Sequence, residues 1–318
     1  MAGVTARTMT PPLAERPVEV APAADLAGLQ PLTVLKSRWP MLIGFALTVA
    51  MVIGLAHQLW DAGLPTLAQS VPASPLFYIA FALLYVAPPW FDYVIFRRLW
   101  GIPLAGLAAL TKKRIANDVV LGYSGEAYFY AWARGRATMV AAPFGAVKDV
   151  SILSAVAGNA ITLAMVVVAL PLASKMLTPL QFKEAFGSAA IMLGTSLPFL
   201  IFSRRVFSLA RGRLWWIFGV HCLRVVSSAV LIALCWHFAL PQVGVALWLV
   251  LAAAKQLVSR LPLVPNKDLL FANLAVLLIG RGAPVAHLIA IVTAATLLVH
   301  LLLIVGFGLH HLFARRST

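Results

Sequence analysis

The sequence has few charged residues, and acidic ones are the scarcest. Only 11% of its 318 residues are charged, and Asp and Glu together number 10. A typical soluble domain has about 25% charged residues and about 45–50% apolar ones. Here the hydrophobic fraction is 62%. This composition excludes an ordinary soluble domain as a description of the whole chain.

Cysteine and the common catalytic motifs are also scarce. The two cysteines, Cys222 and Cys235, lie in one predicted helix, about 20 Å apart along its axis, which is too far for a disulfide. We find no Cys/His metal spacing, no glycine-rich phosphate loop or HExxH, and no GxSxG. The sequence therefore predicts no metal, no cofactor and no catalytic centre, and we expect that the chain is not an enzyme.

Long apolar runs dominate what is present. A helix needs about 20 mainly apolar residues to cross a bilayer. Runs of or near this length are Met41–Leu59, Leu76–Phe96, Ser151–Leu172, Gly187–Phe202, Leu214–Leu240, Val243–Leu257 and Val285–Leu309, and Leu269–Ile279 is a shorter apolar run. The sequence predicts an all-α, polytopic membrane helix bundle with about seven to nine membrane segments.

The basic residues mark the sides of the membrane. The net charge is +15, and its Lys and Arg residues lie between the apolar runs, as in cytoplasmic loops. The chain lacks the aromatic and basic platform that single-stranded nucleic acids require, so we expect no nucleic-acid partner. We predict a disordered cytoplasmic tail over residues 1–40, a membrane domain over 41–310 and a short basic tail over 311–318. The expected location is the cell inner membrane, with the N-terminus cytoplasmic.

Two short segments share an unusual composition. Lys113–Phe129 and Lys255–Phe271 begin 142 residues apart, and each has a polar helix end, a Gly or Pro break, a carboxylate and an apolar helix. Glu126 aligns with Asp268. Transporters often build their sites from broken helices in corresponding positions of two repeats. We predict two broken or re-entrant segments and an internal repeat, with chance similarity and simple surface caps as the alternatives.

A charge within a predicted span needs a partner or a wet cavity. Arg224 lies inside Leu214–Leu240, where a charge costs at least roughly 2.5–3.5 kcal/mol. A guanidinium can bind a phosphate bidentately, so we predict that Arg224 contacts a lipid headgroup. The alternative is an intramembrane ion pair with Glu126, Asp118 or Asp268. The full set of predicted substrate-binding residues is Arg224, Glu126, Asp268, Asp118, His221, Lys113, Lys255 and Arg134.

His221 and Arg134 join this set for different reasons. His221 lies one helical turn before Arg224 on the same face. Arg134 follows an aromatic cluster formed by Tyr128, Phe129, Tyr130 and Trp132. Aromatic residues beside basic ones are typical of the membrane interface. The cluster therefore predicts either plain anchoring or the attraction of anionic headgroups to a cavity mouth.

The two short segments resemble a known family. Asn117 and Gly125-Glu126 are similar to the N-x-x-x-P-x-x-x-G-E element of the lysylphosphatidylglycerol synthase transmembrane-domain (flippase-like) family. Leu261–Pro265, followed by Asp268, is similar to its second Pro-rich element. The resemblance covers roughly residues 40–310. It departs at Leu121, where the family has proline, and in the residues just after Pro265.

This resemblance implies translocation of an anionic, polyprenyl-linked or hopanoid-type lipid between leaflets. A membrane lipid is then the main partner. We expect no aminoacyl-transferase domain after the last apolar run, so a lipid-biosynthetic enzyme on a separate chain is a candidate second partner. One alternative is a membrane-embedded lipid or glycosyl transferase, or a subunit of one. Another is an ion-coupled transporter of a small solute.

Overall fold

A computed structural model describes residues 71–119, 124–134, 143–173, 207–261, 266–279 and 284–316, together with Ile53, Lys183 and Gly187. Within these residues the chain is helical and contains no strand, which confirms the predicted all-α class. The eight helices described are α1 (Pro75–Trp100), α2 (Gly106–Val119), α3 (Ser124–Arg134), α4 (Pro143–Ala173), α5 (Arg211–Ala239), α6 (Val245–Ser259), α7 (Lys267–Ile279) and α8 (Pro284–Arg316).

Four of these helices are long and apolar enough to cross a membrane. They are α1 over its full length, α4 over Gly145–Leu172, α5 over its full length and α8 over Pro284–Leu309. Each has 26 to 29 residues, and about 20 residues suffice for the hydrocarbon core. The four helices indicate a multi-pass membrane protein, as predicted.

Some predicted segments lie outside the described residues. These are the tail 1–40 and nearly all of the runs 41–59 and 187–202. At the other end, α8 continues to Arg316, so most of the predicted short tail 311–318 belongs to the last helix. The two thiols are free, and both Cys222 and Cys235 lie on α5 as expected.

Local sequence sets the ends of α1. Pro75 begins the helix, where its fixed φ fits and its missing N–H costs nothing. Gly101 ends it with a left-handed φ of 64°, and its N–H donates to the Arg97 carbonyl at 2.7 Å. Arg97 and Arg98 occupy the last turn, where positive charge stabilises the negative end of the helix dipole.

Helices α1 and α5 pack against each other in opposite directions. Phe77, near the start of α1, shares an apolar cluster with Trp236, near the end of α5. At the other end, the Arg98 guanidinium lies 4.3 Å from the ring centroid of Trp216. The two helices are therefore antiparallel, and the middle of α1 faces the middle of α5.

Helices α2 and α3 form a tight hairpin. The N–H of Gly125 donates to Asn117 Oδ1 at 2.7 Å, and Ser124 Oγ donates to the Ala116 carbonyl at 2.8 Å. A Cβ on Gly125 would lie 2.0 Å from the Lys113 carbonyl oxygen, so only glycine fits this crossing. The first segment was expected to break near its glycines, and α2 ends at Val119 while α3 begins at Ser124. Gly125 lies in the first turn of α3, where it permits the close approach of α2.

Helices α6 and α7 form a second hairpin. Lys255 on α6 pairs with Asp268 in the first turn of α7, and Lys267 Nζ donates to the Ser259 carbonyl at 2.7 Å. Asn266 precedes α7 with a φ of 44°, a left-handed conformation that asparagine tolerates. Its Oδ1 accepts from the Leu269 N–H at 3.2 Å and so caps the helix.

The two hairpins meet end to end. The backbone N–H of Asn266, at the start of α7, donates to the backbone carbonyl of Asp118, near the end of α2, at 3.0 Å. The last carbonyls of a helix have no partner within it, and this bond satisfies one of them. Both predicted broken segments therefore come together inside the helix bundle.

Candidate functional site

A cavity of about 670 Å³ lies where the hairpins meet the long helices. Each of the eight described helices contributes to its lining. Six cations and four carboxylates line it: Lys113, Arg114, Arg224, Lys255, Arg260 and Lys267, and Asp92, Asp118, Glu126 and Asp268. With the histidines neutral, the described residues of the lining carry an excess of two positive charges. A cavity of this size and charge suits the polar head of an anionic ligand.

What we term the first charge cluster consists of Asp92, Lys113, Glu126, Arg224 and Ser154. Lys113 Nζ lies 2.8 Å from Asp92 Oδ2 and 3.4 Å from Glu126 Oε1. Arg224 Nη1 lies 3.5 Å from Asp92 Oδ1, and Arg224 Nη2 donates to Ser154 Oγ at 2.7 Å. One carboxylate thus holds two cations, which come from different helices. Only 7% of Asp92 and 8% of Lys113 are exposed, so each charge depends on its partners.

Asp92 is the main site residue that the sequence analysis missed. Arg224 was expected to pair with Glu126, Asp118 or Asp268 if it formed an ion pair, and its partner is Asp92. A signal was present, because Asp92 is a carboxylate inside the apolar run Leu76–Phe96, and such residues are rare and functional. Matching it to Arg224 requires the antiparallel packing of α1 on α5, which no local pattern reveals.

The second charge cluster consists of Arg114, Asp118 and His300. Arg114 Nε lies 3.5 Å from Asp118 Oδ2, and His300 Nε2 lies 3.7 Å from the same oxygen. Arg114 Nη1 also donates to the carbonyl of Tyr85. That carbonyl lacks its usual helical donor because Pro89, four residues on, has no N–H. A proline in α1 thus creates an acceptor for a cavity cation.

Asp118 lies on α2, outside the four long apolar helices. Burial raises the pKa of its carboxyl to about 6, although the neighbouring Arg114 lowers that pKa. Protonation of Asp118 in mild acid would remove a negative charge from the lining. The excess of positive charge in the cavity would then increase.

Three cavity cations, Lys255, Arg260 and Lys267, belong to the second hairpin. The Lys255 ammonium pairs with Asp268. Arg260 lies against Gly158 of α4, where an added Cβ would be 1.8 Å from Arg260 Nη1. The same guanidinium donates through Nε and Nη2 to Ser259 Oγ at 3.0 and 2.8 Å. Because Gly158 has no side chain, the Arg260 guanidinium has space to lie against α4.

Seven of the eight predicted site residues line the cavity. They are Arg224, Glu126, Asp268, Asp118, His221, Lys113 and Lys255. Arg134 is the last residue of α3, and its side chain lies outside the described part of the chain. Arg114, Arg260 and Lys267 were missed, although each lies within or beside one of the two unusual segments. Substrate binding by the eight predicted residues remains a prediction.

The aromatic cluster of α3 departs from the prediction at one residue. Phe129 is fully buried, and its ring centroid lies 4.6 Å from that of Phe96 and 5.5 Å from that of Trp132. Membrane-interface anchoring is therefore wrong for Phe129. Its ring belongs to the apolar cluster that holds α3 against α1. The sequence alone does not reveal this contact, because it depends on the α2–α3 hairpin.

The residues that carry the family resemblance contact one another. Asn117 accepts a hydrogen bond from the backbone of Gly125, and Glu126 pairs with Lys113. The first element thus closes the α2–α3 hairpin and supplies a carboxylate to the cavity. No protein-family model matches this chain, and no curated protein or solved structure matches it significantly. The resemblance to the flippase-like family therefore stays a prediction.

Proposed function

We propose that this protein moves an anionic lipid across the membrane by binding its headgroup in the cavity between the two hairpins. The observation that carries the proposal is the excess of cations in a cavity bordered by four long apolar helices. An uncompensated cation at membrane depth is costly. An anion that enters the cavity offsets this cost, whereas a neutral headgroup does not.

Arg224 is the cation best suited to release its partner for a ligand. Its bond to Asp92 is the longest in the first charge cluster, at 3.5 Å, because Lys113 holds Asp92 more closely at 2.8 Å. Charge-assisted hydrogen bonds to an anion contribute about 1.5–3 kcal/mol each. A phosphate that replaced Asp92 at Arg224 would gain such bonds while Asp92 kept Lys113.

Equivalent ion pairs support the proposed internal repeat. Lys113 and Glu126 are thirteen residues apart, as are Lys255 and Asp268, and each pair joins the two helices of one hairpin. The two pairs are related by the offset of 142 residues. We infer that α1–α4 and α5–α8 are two copies of one unit, with one hairpin in each.

Contacts between the halves follow the same offset. Asp118 contacts His300, and Arg260 lies against Gly158. Adding 142 to position 118 gives 260, and subtracting 142 from position 300 gives 158, so each contact maps onto the other. The corresponding helices α1 and α5 are antiparallel, which supports an inverted repeat. Transporters with inverted repeats expose a central site to each side of the membrane in turn.

The direct test is lipid translocation in proteoliposomes. Fluorescent phosphatidylglycerol should cross much faster than fluorescent phosphatidylcholine, and dithionite quenching of the outer leaflet measures both rates. Equal rates for the two lipids, or rates equal to those of protein-free liposomes, would refute the proposal. Mass spectrometry of the recovered lipid tests the transferase alternative, because a transferase would leave a new lipid species. Uptake of soluble phosphate by the same liposomes tests the small-solute alternative.

A further inference from the structure

Helix α2 has two different long faces. Lys113, Arg114, Asn117 and Asp118 face the charged cavity. Lys112, Ile115, Ala116 and Val119, spaced three and four residues apart, lie on another face and line a separate groove of about 290 Å³. The other wall of the groove is α8, through Ile304 and Phe307. Apart from Lys112, every described residue that lines it is apolar.

The groove begins beside the cavity and runs along α8. His300, Ile304 and Phe307 recur at four and three residues, so they share one face of that helix. His300 meets Asp118 at the cavity, and Lys112 Nζ lies 4.7 Å from the Phe307 ring centroid at the far end. Helices α2 and α8 are therefore antiparallel along the groove. It spans about 10 Å, the axial length of α2 from position 112 to position 119.

We propose that this groove holds a hydrocarbon chain of the same lipid whose anionic headgroup occupies the cavity. The proposal rests on the proposed function and deepens it by placing both parts of the substrate. A charged cavity beside an apolar groove matches an amphiphile, whose polar and apolar parts are covalently joined. A free phosphate would fill the cavity and leave the groove unused.

The side of the groove next to α8 faces the bilayer. Large apolar side chains beside it are widely exposed: Leu301 is 57% exposed, Leu302 60% and Val305 51%. Ile304 itself is 44% exposed. Because α8 is one of the four helices long and apolar enough to cross the membrane, these exposed side chains are suited to contact lipid. A chain could therefore pass from the bilayer into the groove without leaving an apolar environment.

Photocrosslinking tests the occupant of the groove. Ile304 is replaced by photoreactive p-benzoylphenylalanine in the full chain, in nanodiscs that contain a minority of phosphatidylglycerol in phosphatidylcholine. Val168 on α4, which is 65% exposed, is replaced in the same way as a matched control that contacts bulk lipid. Mass spectrometry gives the share of phosphatidylglycerol in each adduct. We expect a several-fold enrichment at position 304 and the bulk share at position 168.

Cavity variants test whether the enrichment depends on the headgroup site. Arg114→Gln or Lys255→Gln should abolish the enrichment at position 304. Two variants are used so that one that fails to fold does not end the test. A bulk share at position 304 in the otherwise unaltered chain would overturn the proposal. Enrichment that survives both cavity variants but is lost in Lys112→Gln would also overturn it, because the headgroup would then sit at the groove.

These results separate the groove from the proposed function. Enrichment at Ile304 that depends on Arg114, without any lipid translocation, would support the groove as a lipid site and refute the proposed transport. Translocation of phosphatidylglycerol together with a bulk share at position 304 would support transport and refute the groove. Each part of the account can therefore fail by itself.

Discussion

Replacing Asp92 by asparagine should destabilise the protein and strengthen its binding of anions. The change keeps the shape of the side chain and removes the carboxylate that faces both Lys113 and Arg224. Removing one partner from a buried ion pair costs roughly 3–5 kcal/mol. Lys113 keeps Glu126 at 3.4 Å and Arg224 keeps Ser154 at 2.7 Å. We therefore expect the lower end, a loss of about 3 kcal/mol in the free energy of unfolding.

The same change raises the positive excess of the cavity from two charges to three. An anionic lipid that binds only the folded protein stabilises it by about 2.7 kcal/mol at a hundredfold excess over its Kd. Phosphatidylglycerol should therefore restore much of the lost stability in Asp92→Asn and stabilise this variant more than the unaltered protein. Phosphatidylcholine should restore little, because it brings no net charge.

The assay is denaturant unfolding in mixed micelles, with and without each lipid. For the loss measured without lipid, Asp118→Asn is the matched control, because its side chain is only partly buried, at 42% exposed, and exposed ion pairs contribute about 0–1 kcal/mol. The double variant Asp92→Asn with Arg224→Gln should be less destabilised than the sum of its single variants. A loss below about 1 kcal/mol for Asp92→Asn would refute the reasoning, since breaking an exposed ion pair costs as little. Equal rescue by both lipids would refute the anion argument.

Three further changes test the hairpins by chemical unfolding. Gly125→Ala should cost at least roughly 1–3 kcal/mol, because its Cβ would meet the Lys113 carbonyl. Gly212→Ala on α5 has open space around its Cβ and should not destabilise the protein. Similar losses in the two variants would contradict the hairpin. Phe129→Ala should cost about 3–5 kcal/mol. Tyr128→Ala should cost much less, because Tyr128 is more exposed, whereas interface anchoring predicts the reverse order. Asn117→Ala should cost about 1 kcal/mol, and an unchanged midpoint would contradict its cap on α3.

The sequence predicted the helices better than their contacts. The apolar run Leu214–Leu240 corresponds to α5, Arg211–Ala239, because a membrane helix is marked by local composition alone. The offset that aligned Glu126 with Asp268 also came from sequence, and both carboxylates lie in the first turn of a hairpin's second helix. These features depend on residues close together in the chain.

What could not be predicted depends on residues far apart in the chain. The pair of Asp92 with Arg224 spans 132 positions and needs the packing of α1 on α5. The aromatic cluster that contains Phe129 was expected either to anchor at the membrane interface or to attract headgroups to a cavity mouth. Neither alternative placed the Phe129 ring in a core, because an aromatic residue beside basic ones has the same local pattern at a surface and in a core. Only the packing of α3 against α2, which Gly125 permits, and against α1 decides between the two.

The most direct test of the account compares two arginines of α5 in the translocation assay. Arg224 lines the cavity, whereas Arg213 is exposed in the first turn of the same helix and lies outside it. Arg224→Gln should reduce phosphatidylglycerol translocation at least tenfold, equivalent to about 1.4 kcal/mol, and Arg213→Gln should leave it unchanged. Equal rates in the two variants would contradict the claim that the cavity carries the anionic headgroup.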